Sequence, residues 1–152
     1  MKERVRAALL DGDSLVVFRR TRPGVPVYWA LPGGGVEPQD ADLLAALHRE
    51  LDEELRARVT TPVLLTSRQT VYPDGHAPLQ HLFGCRLLEM DFDNRHGPEF
   101  SNPARGIYEV ERLPFRAGAL DGVRLFPEEL GAYLRDNVDE VLAAVPVARG
   151  PA

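Results

Sequence analysis

Glu50, Glu53 and Glu54 stand three and four positions apart within a run of strong helix formers from Ala41 to about Ala57. At 100° per residue they fall within an arc of about 100°, beside the stripe set by Leu44, Leu47, Leu51 and Leu55. Like charges at this spacing oppose a helix by roughly a few tenths of a kcal/mol per pair, and a bound cation relieves them. Hard carboxylate oxygens suit Mg²⁺, with Mn²⁺ as the alternative, and Mg²⁺ commonly joins one or two carboxylates to a substrate phosphate. Arg49, four residues before Glu53, is placed to fix one carboxylate while Glu50 and Glu54 hold the ion. A solvated acidic face with Arg49, Arg56 and Arg58 as counter-charges would use the same residues. Gly33-Gly34-Gly35, just ahead of the helix, tips the reading toward a site, because three glycines let backbone amides and carbonyls approach a ligand closely.

Strands must carry that loop and helix. Val5 to Leu10 and Leu15 to Phe18, joined by Asp11-Gly12-Asp13, predict a β-hairpin. A loop at Thr21 to Pro26 and a short strand at Val27 to Leu31 follow, stopped by Pro32 and the glycines. Val59 to Val71 and Leu79 to Leu88 predict two strands around the turn Tyr72-Pro73-Asp74-Gly75, and Glu89 to Arg105 a long loop. Gly106 to Leu113 adds a strand, and Pro127 in the first turn opens a helix from Glu128 to Val145. The mixture implies an α/β or α+β layered domain spanning residues 1–146, with 147–152 as a flexible tail.

The chain has 152 residues, 44% hydrophobic and 27% charged, which fits one folded domain and excludes collagen-like or disordered classes. A net charge of −5 argues against double-stranded nucleic acid as a partner. No apolar run is long enough for a membrane span, and Met1 to Arg4 lead straight into an alternating segment, so cytoplasm is the expected compartment. The single cysteine, Cys85, lies in an apolar strand pattern and reads as a small buried residue. His48, His76, His81 and His96 share no ligand spacing with it, so no zinc site is expected.

The run Gly34-x5-Asp40-x8-Arg49-Glu50-Leu51-Asp52-Glu53-Glu54-Leu55-Arg56-Ala57 resembles the Nudix box, and Trp29 to Pro38 resembles the strand and loop that enter it. Asp40 stands where the family has Glu, the spacer to Arg49 is one residue longer, and Arg56 replaces a glycine that ends the helix in a left-handed turn. The longer spacer leaves either Asp40 or Asp42 to face the site, and Arg56 implies that the helix stops differently or runs further. The resemblance implies an α/β/α sandwich around a mixed β-sheet, and hydrolysis of a diphosphate linkage in a nucleoside diphosphate joined to another group. A nucleoside triphosphate cleaved to monophosphate and pyrophosphate is one such case. It further implies Glu50 and Glu54 as main metal ligands, Glu53 as a further ligand or water-activating base, Arg49 as orienting partner, and the Gly34 carbonyl on the metal.

In many relatives an acid outside the box assists, and Glu99 in Gly97-Pro98-Glu99-Phe100 is the candidate here. For the substrate, Tyr28 or Trp29 offers an aromatic face, only one of them on the site side. Arg19, Arg20 and Arg22 offer cations, Arg19 being the first candidate, and Gly34 and Gly35 offer backbone. Pro73, sixteen residues past Ala57, resembles the placement in the ADP-ribose-cleaving branch, and a plain turn explains it equally well. Two other readings stay open: a module that senses nucleotide diphosphates or binds proteins without cleaving, and homodimer formation through an exposed apolar edge.

Overall fold

The computed structural model describes residues 2–94 and 106–147. Glu3–Asp11 (β1) and Ser14–Arg22 (β2) form the expected hairpin, with Gly12 at positive φ in the turn. Val25–Ala30 (β3) follows, and Gly33–Gly35 (β4) is itself a strand, antiparallel to β1, where the sequence predicted only a stop. Leu43–Leu55 (α1) is shorter at both ends than the predicted helix. Its Leu47, Leu51 and Leu55 are buried, but Leu44 stays 36% exposed and Leu43 packs against the core instead. The predicted strand Val59 to Val71 divides into Arg58–Val59 (β5) and Val63–Gln69 (β6); Thr60 still bonds Arg86 through its amide and its hydroxyl, and the gap falls at Pro62, which has no amide to donate.

Leu79–Glu89 (β7) and Ile107–Pro114 (β8) complete the long strands, and Leu125–Phe126 (β9), too short to read in the sequence, pairs parallel to β3. The predicted C-terminal helix is two, Glu128–Asp136 (α2) and Val138–Ala144 (α3), with Pro127 at the N-cap rather than inside the first turn. Asn137 divides them: its backbone leaves the helical region while its side-chain amide donates to the Tyr133 carbonyl at 2.8 Å.

The nine strands form one mixed sheet in the order β5-β7-β1-β2-β3-β9, with β4 and β8 added on β1 and β2 and β6 on β7. The parallel neighbours are β1 with β7 and β3 with β9. Alternation along β1 sorts the core. Val5, Ala7 and Leu9 face α1, packing with Leu47, Leu51 and Leu55, while Ala8 and Leu10 face α2 and α3, packing with Leu130, Leu134 and Val141. A helical layer on each face makes this the expected α/β/α sandwich.

Candidate active site

β1 and β2 pair only from Leu9↔Val16 to Asp11↔Ser14. Beyond that point they part: the first half of β1 takes β4 as a neighbour, and the second half of β2 takes β3, while β8 lines the other edge of β2 from Ser14 to Thr21. The gap between them is a cavity of about 320 Å³, floored by Gly33–Gly35 and walled by Glu50 and Glu54 from α1 and by Arg4, Arg6 and Arg20 from the two strands.

The glycine strand is wedged between β1 and the acid helix, with no room for a side chain at Gly33 or Gly34. A Cβ on Gly33 would lie 2.0 Å from the Val5 carbonyl oxygen, and its φ of +140° disfavours any other residue. A Cβ on Gly34 would lie 2.5 Å from Glu50 Oε1. The Gly33 amide donates to Glu54 Oε1 at 2.8 Å, so one oxygen of that carboxylate is anchored to the strand. Glu50 and Glu54 are 8% and 7% exposed, two carboxylates held out of bulk water next to a cationic wall.

Arg49 ties the loop to the helix. Its Nε donates to Asp40 Oδ1 at 2.9 Å and its Nη2 to Asp40 Oδ2 at 2.8 Å and to the Gly35 carbonyl at 2.9 Å, while Nη1 reaches Glu50 Oε1 at 3.1 Å and Glu53 at 3.5 Å. The bidentate bond from Arg49, with the Glu37 amide also donating to Asp40, holds the Asp40 carboxyl down at about 2 from an ordinary 3.8. The same bond raises the Arg49 guanidinium further above its usual value. Asp42 instead caps α1, accepting the Ala45 amide at 2.8 Å. The two aspartates therefore divide the work that the spacing left open.

Arg56 corrects another expectation. The helix ends there in a left-handed residue, φ 51° and ψ 43°, with the Arg56 amide on Asp52 and the Ala57 amide on Leu51. The arginine adopts the geometry of the glycine it replaces.

Tyr28 faces the site side, where it lines a cavity adjoining the acid cleft, and Trp29 turns to the opposite core and donates its indole N–H to Glu111. Arg19 stands apart from the cleft, its guanidinium 3.3 Å from Glu109 on β8, because strand alternation gives the site to its neighbour Arg20. The Arg20 guanidinium lies 3.6 Å from the centroid of the Tyr108 ring. Arg6 is a cleft residue that sequence reasoning missed. It donates to Gln80 at 3.0 Å and to the Leu31 carbonyl at 3.1 Å, and its only sequence signal was a charge inside an otherwise apolar strand. Glu53 lies at the rim, nearer Arg49 than the cavity. Glu99 and His96 lie outside the described residues. His81 bonds Ser67 and Glu3, and His76 bonds Asp74, both away from Cys85, which is buried with its thiol pushed up to about 12 by desolvation.

Among the described residues no group of three or more His, Cys, Asp or Glu is arranged as a ready metal cage. The donors nevertheless suit Mg²⁺, which takes one or two protein carboxylates and draws its other oxygens from water and phosphate. Glu50 and Glu54 are such a pair, and the space that a Cβ on Gly34 would fill keeps the Glu50 carboxylate close to the strand.

The sequence model of the NUDIX domain matches residues 1–128. The chain belongs to the Nudix hydrolase family. No curated protein sequence matches it. Its Nudix fold resembles that of an ADP compounds hydrolase, with a TM-score of 0.69 at 18% identity over 93% of this chain and 73% of that one. A MutT NUDIX hydrolase from Burkholderia pseudomallei gives 0.64 at 18% identity, over 89% and 95%. A UDP-X diphosphatase gives 0.63 at 19%, over 91% and 63%. At such identities the likeness concerns the fold. No helix among the described residues is long and apolar enough to cross a membrane.

Proposed function

We propose that this Nudix hydrolase cleaves a diphosphate linkage in a nucleoside diphosphate-X type of substrate by attack of water on phosphorus. The observation that carries the reading is the pair of buried carboxylates, Glu50 and Glu54, set against a side-chain-free strand in a cleft whose other wall is Arg4, Arg6 and Arg20. Glu50 and Glu54, with the Gly34 carbonyl, would hold Mg²⁺. The ion, when bound, supplies positive charge to phosphate oxygens and acidity to water.

The remaining work falls to the chain itself. Arg6 and Arg20 bind the phosphate oxygens of the substrate, and the half-buried cleft strengthens those contacts relative to open water. Arg49, fixed by Asp40, keeps the Glu50 carboxylate oriented so that little reorganisation accompanies reaction. Glu53, at the rim and partly solvated, takes the proton of the attacking water at its carboxylate; Glu99 is the second candidate for that proton.

The similar folds named as an ADP compounds hydrolase and a UDP-X diphosphatase support a nucleotide-linked diphosphate as the substrate class. The departures that would favour a non-cleaving module are accommodated locally, since Asp40 still reaches Arg49 and Arg56 still ends the helix. The test is a panel of nucleoside triphosphates and nucleoside diphosphate conjugates, with Mg²⁺ or Mn²⁺, in ¹⁸O-labelled water and read by mass spectrometry. Label in one phosphate-bearing product is expected; folded protein that turns over nothing on the panel refutes the reaction.

A further inference from the structure

Past Arg6 and Arg20 the acid cleft opens into a second cavity of about 350 Å³ that shares both arginines and Ala30 with it. The volume is in the range of about 300–1,000 Å³ usual for small-molecule sites. Its walls differ in kind from those of the acid cleft. Tyr28 and Phe126 meet there edge to face, with ring centroids 5.2 Å apart, and the turn after β6 closes another side with Val71 and Pro73. Thr70 lines the same cavity at 6% exposure, and its hydroxyl has no hydrogen-bond partner among the described residues. A buried hydroxyl left unpaired is costly, and a ligand edge is a natural partner for it. Glu128 and Glu129, in the first turn of α2, add carboxylates to the lining.

We infer that this cavity takes the heteroaromatic base of the substrate, with its edge toward Thr70 and Glu129, and that it selects bases carrying an exocyclic amino group. The inference rests on the proposed reaction for its polarity, with phosphates in the acid cleft and the base beyond the two shared arginines. A flat ring gains from the apolar corner of Tyr28 and Phe126. Its edge then meets groups of unequal versatility. The Thr70 hydroxyl rotates to donate or accept, so it adapts to either edge. An ionised carboxylate only accepts: it takes a hydrogen bond from an amino group and repels a carbonyl oxygen in the same place. Of the two carboxylates Glu128 is exposed and Glu129 half-buried, so Glu129 sets the choice and Thr70 adds to affinity.

Titration calorimetry of the full chain in metal-free buffer compares AMP with IMP and CMP with UMP, pairs that exchange an amino group for a carbonyl. The amino member of each pair is expected to bind roughly tenfold to a hundredfold more tightly, the usual effect of a hydrogen bond to a charged group. Glu129→Gln should bring each pair within about threefold, and Thr70→Val should weaken AMP and CMP by about tenfold. Equal affinities within both pairs, preference for IMP and UMP, or no binding by any of the four overturns the inference, and none of these results depends on a variant folding. Turnover of the nucleotide panel without amino preference refutes the base reading alone. Amino-selective binding with no turnover of any diphosphate refutes the reaction alone.

Discussion

Arg49 and Asp40 meet through two parallel hydrogen bonds, Nε to Oδ1 at 2.9 Å and Nη2 to Oδ2 at 2.8 Å, and this fork joins the loop before α1 to the helix that carries the acids. Because the same guanidinium also reaches Glu50 and the Gly35 carbonyl, the pair acts on the cleft without lining it. Asp40→Asn keeps the shape but replaces one acceptor oxygen with an NH₂ group. We expect activity to fall by roughly tenfold to a hundredfold, as for other groups that orient metal ligands, with the circular dichroism spectrum unchanged.

The fork also has a pH signature. Asp40 titrates near 2 in the folded chain against 3.8 ordinarily, because of the bond from Arg49 first and the Glu37 amide second. A depressed carboxylate adds stability that is complete above the unfolded value and lost as pH falls toward the folded one. The stability difference between the native chain and Asp40→Asn should therefore be constant from pH 7 to about 4.5 and shrink between about 4 and 2. Denaturant titrations across that range measure it; a difference that persists unchanged at pH 2 contradicts the assigned role.

Neighbouring glycines should fail in different ways. In Gly33→Ala the new carbon meets the Val5 backbone oxygen, which cannot yield, so a loss of about 3 kcal/mol or more is expected from urea unfolding. In Gly34→Ala it meets the movable end of Glu50 instead. That variant should fold, with its Mn²⁺ affinity, followed by electron paramagnetic resonance, lowered by at least about tenfold.

Arg56 holds a backbone conformation that costs a side-chain-bearing residue about 1–2 kcal/mol. Its ion pair with Asp52, at 3.5 Å and solvent-exposed, offsets little of that. Arg56→Gly should raise the melting temperature by about 2–4 °C in calorimetry while leaving turnover alone.

Glu53 and Glu50 should separate binding from chemistry. Glu50→Gln is expected to weaken Mn²⁺ binding and turnover together. Glu53→Gln should retain most of the affinity yet lower kcat by about 10²-fold or more, the scale of a lost general base. Unchanged kcat in Glu53→Gln would remove that carboxylate from the mechanism and direct attention to Glu99.

The hairpin, the acid helix and the strands at β7 and β8 were legible because each rests on short-range periodicity. Helical spacing alone brings Glu50, Glu53 and Glu54 to one side of α1, and strand alternation alone predicts that only one of Tyr28 and Trp29 can face the site. Where a local feature intervened, periodicity failed: Asn137 bonds back to Tyr133 and splits the last helix, and Pro62, with no amide to donate, falls where a strand is interrupted. Two-residue β9 is too short to carry any pattern.

The sequence by itself determined which acids share a helix face, that a side-chain-free segment precedes them, and, through the run of box residues, the family. Tertiary structure alone decided that β1 and β2 part after Leu9 and Val16, which puts Arg6 and Arg20, rather than Arg19, in the cleft. It also assigned Asp40 to Arg49 and Asp42 to the helix cap, and left Thr70 beside an apolar cavity. The difference is one of range. A helix fixes the relative directions of residues three and four apart through its own hydrogen bonds, whereas the register of strands far apart in the chain is set by packing that no short stretch of sequence contains.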